Sequence, residues 1–226
     1  MKFGVVIFPG SNCDKDLIET LSQISNEKVE ELWHNDTDLK GVDFVFLPGG
    51  FSYGDYLRSG AIAKLSPVMQ AIKEHADKGG YVMGICNGFQ ILCESGLLPG
   101  ALLRNNHLQF SCRNVYLKPV NISSKITNKL DANKVYQIPI AHGEGNFYAD
   151  AETIKSIEDN NQVLFRYCDA NGNINDASNP NGSMNHIAGI TNAQKNVFGM
   201  MPHPERCFAD YLLNTDGQDI FKSIIS

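Results

Sequence analysis

Tyr81-Val82-Met83-Gly84-Ile85-Cys86-Asn87-Gly88-Phe89-Gln90 is a short apolar run that ends on a cysteine between two glycines and continues at helical spacing. Tyr81 to Ile85 reads as a buried strand, and Phe89, Leu92 and Cys93 recur as on one face of a helix over Asn87 to Cys93. The turn between them must be sharp. Gly84 and Gly88 leave room around it, so Cys86 is expected in a strained backbone geometry with its sulfur above the strand end, as in a nucleophile elbow. The first N–H groups of the following helix have no intrahelical acceptor and its dipole is positive there. Both favour negative charge on the sulfur and on any carbonyl oxygen it attacks.

Upstream of the elbow, strands and helices alternate. Phe3 to Phe8, Val29 to Trp33 and Asp43 to Leu47 read as strands, and Asp14 to Ile24 and Ser66 to Lys78 as helices. This alternation predicts an α/β fold, with a mostly parallel central sheet flanked by crossover helices. Leu65, Val68, Met69, Ile72 and Ala76 define the buried face of the second helix, and Pro67 suits its first turn. Ligands in such sheets collect at the carboxyl ends of the strands, where Pro48-Gly49-Gly50 and the elbow both arrive.

Downstream the pattern changes. Asn114 to Lys118, Val135 to Ala141, Gln162 to Tyr167, Ile187 to Thr191 and Asn196 to Met201 read as strands, with helices only near Ala151 to Glu158 and at the carboxyl end. With so few crossovers, some of these strands must pair antiparallel. Asp169 to Asn185, with its asparagines and the turn Asn179-Pro180-Asn181-Gly182-Ser183, reads as a long surface loop, mobile or functional. No linker separates two cores, so residues 1–226 read as one domain.

Composition narrows the function classes. The chain is 42% hydrophobic and 19% charged with a formal net charge of -6, ordinary for a soluble globular protein. Its lysines and arginines are scattered, which argues against a nucleic-acid surface, and no apolar run approaches the roughly 20 residues that span a bilayer. The opening MKFGVVIFPGSNCD reaches a strand and a turn at once, so no signal peptide and a cytoplasmic location are expected. Cysteines 13, 86, 93, 112, 168 and 207 form no C-x-x-C pair and no metal-ligand spacing with histidine. Free thiols in a reducing compartment fit that pattern.

A cysteine nucleophile needs a base, and His203 lies in Met200-Met201-Pro202-His203-Pro204-Glu205, directly after an apolar strand. The two prolines are expected to hold the backbone extended, so that Glu205, two residues on, reaches the far ring nitrogen while the near one faces Cys86. Histidine then takes the thiol proton and returns one to a leaving amine, and the carboxylate fixes its tautomer. Cys13, Cys93, Cys112, Cys168 and Cys207 read as structural, and His34, His75, His107 and His186 as surface or packing residues. His142 reads equally well as a hydrogen-bonded strand-end residue or as a functional one.

Gly84 to Gln90, the upstream Pro48-Gly49-Gly50-Phe51 and the downstream Pro202-His203-Pro204-Glu205 together resemble the three signature segments of the class I, triad-type glutamine amidotransferase family. Phe8 to Asp14, PGGFSYGDYLR from Pro48 to Arg58, Gly60-Ala61-Ile62-Ala63, Ala141 to Phe147 and Gly199 to Arg206 are further similar to the glutaminase-subunit family of phosphoribosylformylglycinamidine synthases. The resemblance runs the length of the chain. It implies a flavodoxin-like amidotransferase domain with catalytic Cys86, His203 and Glu205. The implied reaction is hydrolysis of glutamine to glutamate and ammonia through a glutamyl thioester.

The backbone N–H of Asn87 and the Gly49-Gly50 turn are the expected oxyanion donors. By similarity Gln90 contacts the bound glutamine, and Phe110 and Ser111 lie where related enzymes hold its carboxylate and amine. The chain has no G-x-x-x-x-G-K-[ST] loop to activate an acceptor. The resemblance therefore implies no cofactor in this chain, and a large synthetase subunit carrying ATP and Mg, with a small third subunit bridging the two. That partner would convert formylglycinamide ribonucleotide to formylglycinamidine ribonucleotide in de novo purine synthesis. A cysteine hydrolase or stress protein of a related flavodoxin-like family is the alternative. The paired His203 and Glu205 weigh against it, and against a non-catalytic interaction module.

Overall fold

The computed structural model describes residues 1–212 and 214–226. In chain order the elements are β1 (Phe3–Ile7), α1 (Asp14–Ser25), β2 (Glu30–Trp33), β3 (Phe44–Leu47), α2 (Pro67–Asp77), β4 (Tyr81–Ile85), α3 (Asn87–Glu94), β5 (Ala101–Leu103) and β6 (Ser111–Pro119). They continue with β7 (Tyr136–His142), β8 (Asn146–Tyr148), α4 (Ala151–Asp159), β9 (Val163–Cys168), β10 (Ile187–Thr191), β11 (Val197–Met200) and α5 (Gly217–Ile225). A nine-stranded sheet in the order β2-β1-β3-β4-β11-β10-β9-β6-β7 carries the fold. The neighbours from β2 to β11 are parallel, and those from β11 to β7 are antiparallel.

Burial explains both halves. Every residue of β3, β4 after Tyr81, and β11 is buried, as helices on both faces of a parallel sheet require. Strand β7 instead alternates buried and half-buried residues along Tyr136-Gln137-Ile138-Pro139-Ile140-Ala141-His142. Pro139 is tolerated there because β7 is an edge strand of the sheet. Strands β5 and β8, three residues each, pair as a separate antiparallel ribbon that periodicity over so few positions does not reveal.

The antiparallel half curls. The β9–β10 register shifts twice around Gly189, an irregularity of the kind that bends a sheet. The curl returns β7 to the carboxyl ends of β4 and β11. There the His203 N–H donates to Pro139 O at 2.8 Å, although three strands stand between β11, which leads into His203, and β7.

Two sequence expectations are corrected. Leu65 is 76% exposed because it belongs to a separate tight turn, Ala63–Leu65, and does not extend the buried face of α2. The backbone after His203 is a tight helical turn, Pro204–Arg206, not an extended segment, and the turn brings Glu205 back toward the ring. Asp169 to Asn185 is, as expected, an irregular segment mostly at the surface, and it is anchored through its asparagines. Asn181 is fully buried, with its side-chain N–H donating to Gly145 O at 2.7 Å.

Candidate functional site

The elbow follows from packing at two glycines. A Cβ on Gly88 would fall 2.0 Å from Leu47 O, and one on Gly84 would fall 2.4 Å from the Gly88 carbonyl carbon, so α3 approaches β3 and β4 as only glycine permits. Cys86 takes φ 51° and ψ -106°, unusual for a residue with a Cβ. Its N–H donates to Met200 O at 2.8 Å, which extends the β4–β11 ladder to the elbow itself. The thiol is buried and points toward Ala141 O, 3.7 Å away at the end of β7.

His203 and Glu205 are each 1% exposed. Nδ1 of His203 lies 2.6 Å from Glu205 Oε1, and because a carboxylate only accepts, Nδ1 carries the proton. Nε2 has no hydrogen-bond partner. Burial by itself would lower the His203 pKa, but the Glu205 carboxylate, then Cys86 and Cys13, outweigh it and hold the imidazole well above its ordinary value.

Cys13, which reads as structural in the sequence, lies beside the His203–Glu205 pair. Its sulfur accepts from Arg206 Nη2 at 3.1 Å, and the guanidinium also pairs with Asp16 at 3.2 Å. Gly49 is the reason His203 fits here, since a Cβ on it would lie 2.6 Å from the ring and 3.1 Å from the Cys13 sulfur. Ligand atoms of Cys13, His203 and Glu205 lie within 4.8 Å of one another. The Arg206 cation against the sulfur and the occupied His203–Glu205 hydrogen bond make this a poor cation site.

A cleft of about 220 Å³ opens over Cys86, lined by Gly50, Phe51, Gln90, Phe110 and His142, with Asp55 and Glu144 at its side. Asn87 ties the loop after β3 to the elbow. It accepts from the Ser52 N–H at 3.0 Å and donates to Asp55 at 3.2 Å and to Gln90 Oε1 at 2.9 Å. Gln90 in turn donates to Glu144 O at 2.6 Å, so its amide braces the cleft wall. Burial, foremost, raises the Asp55 carboxyl above its ordinary value, and Glu144 nearby adds to this against hydrogen bonds from Ser59 and Asn87.

Of the expected substrate contacts, Phe110 lines the cleft and stacks on Phe51 with ring centroids 6.4 Å apart. Ser111 does not line it, and its hydroxyl meets His107 Nε2 at 3.2 Å. Asn105, which no sequence signal marks, is fully buried behind His142 and bonds to it.

A family model described as a CobB/CobQ-like glutamine amidotransferase domain matches residues 1–222. The phosphoribosylformylglycinamidine synthase subunit PurQ of Moorella thermoacetica is 54% identical over 225 residues, covering 100% of this chain and 95% of that protein. Its counterpart in Synechocystis is 53% identical over 221 residues, covering 98% and 99%. A solved structure described as PurLQS from Thermotoga maritima superposes with a TM-score of 0.87 at 40% identity, covering 99% of this chain and 97% of the other.

Proposed function

The chain belongs to the CobB/CobQ-like glutamine amidotransferase domain family, and from that premise we propose how it acts as the glutaminase subunit of phosphoribosylformylglycinamidine synthase. The observation that carries the mechanism is the strained, glycine-flanked Cys86 beside the buried His203–Glu205 pair. His203 Nε2 takes the thiol proton, and the sulfur attacks the carboxamide carbon of glutamine. The oxyanion that forms is met by the Asn87 N–H, which as the first in α3 has no intrahelical acceptor, and by the Gly50 N–H, which has no backbone acceptor among the described residues. Collapse breaks the C–N bond, and the imidazolium gives its proton to the departing nitrogen, releasing ammonia. Water, deprotonated by His203, then hydrolyses the thioester through a second oxyanion to glutamate.

Glu205 holds the tautomer and supports the imidazolium. Gly49 allows His203 its place, and Asn87 and Gln90 brace the cleft that receives the substrate. Phe110 forms the apolar wall, and the Ser111 hydroxyl is engaged with His107 outside the cleft. The reading takes residues 1–226 as one amidotransferase domain, supported by a core cluster that runs from Phe3 to Ile224.

The partners are a large synthetase subunit and a small third subunit, in keeping with the PurLQS likeness. We place ATP and Mg on the synthetase, which uses the ammonia to convert formylglycinamide ribonucleotide to formylglycinamidine ribonucleotide. A cytoplasmic site of action accompanies this reading, and no helix among the described residues is long and apolar enough to cross a membrane. Phe51 and Phe110 stand exposed in the cleft lining, and Tyr56 and Leu57 are exposed on the same loop as Phe51, which supports Phe51–Arg58 and His142–Phe147 as the face that senses the synthetase. Charge reversal at Asp55 or Arg58 is expected to weaken coupled activity or complex formation, and a variant normal in both assays removes that assignment.

The test of the function is glutamate release from glutamine by the chain alone and with the synthetase, ATP and formylglycinamide ribonucleotide, with Cys86→Ala as the blank. A Cys86-dependent rate that rises with partner and substrates is expected. No turnover in either setting would assign the triad to another acyl substrate.

A further inference from the structure

His142 ends β7, is 3% exposed, and lines the same cleft as Cys86. Its tautomer is settled by Asn105. The Asn105 Nδ2 group donates to Gln109 O at 2.9 Å and to His142 O at 3.0 Å, and Oδ1 accepts from the Gly145 N–H at 3.0 Å. With the amide so oriented, the 3.1 Å contact from Oδ1 to His142 Nδ1 requires the proton on Nδ1. Nε2 is left as a lone-pair acceptor, buried and without a partner. Gly145 clamps the ring in this pose, since a Cβ there would fall 2.2 Å from Cε1 and 2.6 Å from Nε2. Burial, followed by the charge of His203, lowers the pKa to about 4, so at neutral pH the ring stays an acceptor.

A buried acceptor with no donor is costly unless a ligand supplies one. The residue before His142 points its carbonyl at the Cys86 sulfur, at 3.7 Å, and His142 itself lines the cleft over that sulfur. The polar side chains braced around the elbow, Asn87 and Gln90, are already committed to each other, to Asp55 and to Glu144 O.

We propose that Nε2 of His142 accepts a hydrogen bond from the carboxamide N–H of glutamine as its carbonyl carbon comes to Cys86. The inference rests on the glutaminase reading above and adds to it a substrate-orienting residue. Holding the amide nitrogen at His142 leaves the carbonyl oxygen for the Asn87 and Gly50 N–H groups. It also distinguishes an amide from an ester, because an alkoxy oxygen in that place has no proton to give and faces the lone pair.

The test compares L-glutamine with L-glutamate γ-methyl ester in the assembled synthase, for the natural chain, His142→Phe and His142→Gln. The Phe variant is expected to lose about ten- to a hundredfold in kcat/KM for glutamine while the ester changes by less than about threefold. The Gln variant keeps an acceptor oxygen and should recover part of the glutamine rate. Equal losses on both substrates, or no loss on glutamine, would overturn the assignment. If the natural chain turned over neither substrate in a Cys86-dependent way, the glutaminase reading itself would fall, which an unchanged substrate ratio would leave standing. Should neither variant assemble, the imidazole nitrogen resonance of His142 in the Cys86→Ala complex decides. It must move with glutamine and not with the ester, and a signal that stays put with glutamine overturns the proposal.

Discussion

Two histidines within one site are tuned in opposite directions by their neighbours. His203 is raised despite its burial because Glu205 is 2.6 Å from Nδ1, and His142 is pushed down by its burial and then by the charge of His203, with only a neutral amide at its Nδ1. Replacing Glu205 with Gln removes the strongest cation-stabilising neighbour. We expect kcat to fall by about 10² to 10⁴, and the alkaline limb of the pH–rate profile to move to lower pH. An unmoved limb would mean that Glu205 does not support the imidazolium. For His142 the linkage runs the other way. Between pH 6.5, its ordinary value, and about 4, its folded value, the unfolded chain binds a proton here that the folded chain does not. Stability is therefore lost as pH falls through that window, by about 3 kcal/mol at pH 4. In urea denaturation at pH 7 and pH 4, His142→Gln should lose less stability than the natural chain by roughly that amount. Parallel losses would contradict the depressed titration.

Glycine positions carry the contact of α3 with β3 and β4, and one of them compared with a glycine after β7 separates close packing from open space. Gly88→Ala places its Cβ 2.0 Å from the Leu47 carbonyl oxygen, a backbone atom that cannot swing away. It should destabilise the fold by about 3 kcal/mol or more and displace the elbow. Gly143→Ala, at the cleft wall, meets only Phe110 at 3.8 Å, and its stability should stay within about 0.5 kcal/mol. Thermal melts of the two variants side by side check this, and similar melting temperatures would refute it. Residue patterns made several of these elements legible in advance. The unbroken apolar runs of β3 and β4 and the helical spacing of Val68, Met69 and Ile72 specify period and burial locally. Strands β5 and β8 escaped notice because three residues define no period, and the reach of Glu205 was assigned to an extended segment when a helical turn supplies it.

At the scale of the molecule, α5 closes the structure beneath the catalytic turn. Ile220, Phe221 and Ile224 are fully buried, and the Gly217 N–H donates to Cys207 O at 2.8 Å, just past the His203–Arg206 segment. Those three side chains contribute about 6 kcal/mol of burial, comparable with the roughly 5–15 kcal/mol that holds a typical domain folded. A chain stopped after Asp216 should therefore lose its cooperative melt, and a sharp transition in circular dichroism would show the helix to be dispensable. Local sequence by itself determined the strand–cysteine–helix order of the elbow, the alternation of strands and helices upstream of it, and the nearness of His203 and Glu205 along the chain. Each is carried by neighbouring residues and by periodicities within one chain segment. Only the tertiary structure decided that Cys13 lies behind His203, that Asn105 orients His142, and that β7 stands over Cys86. The place of β7 over Cys86 follows from the curl of the antiparallel half, through twist and a register shift that no local pattern encodes, and Cys13 reaches His203 because β1 and β11 end at the same edge of the parallel sheet.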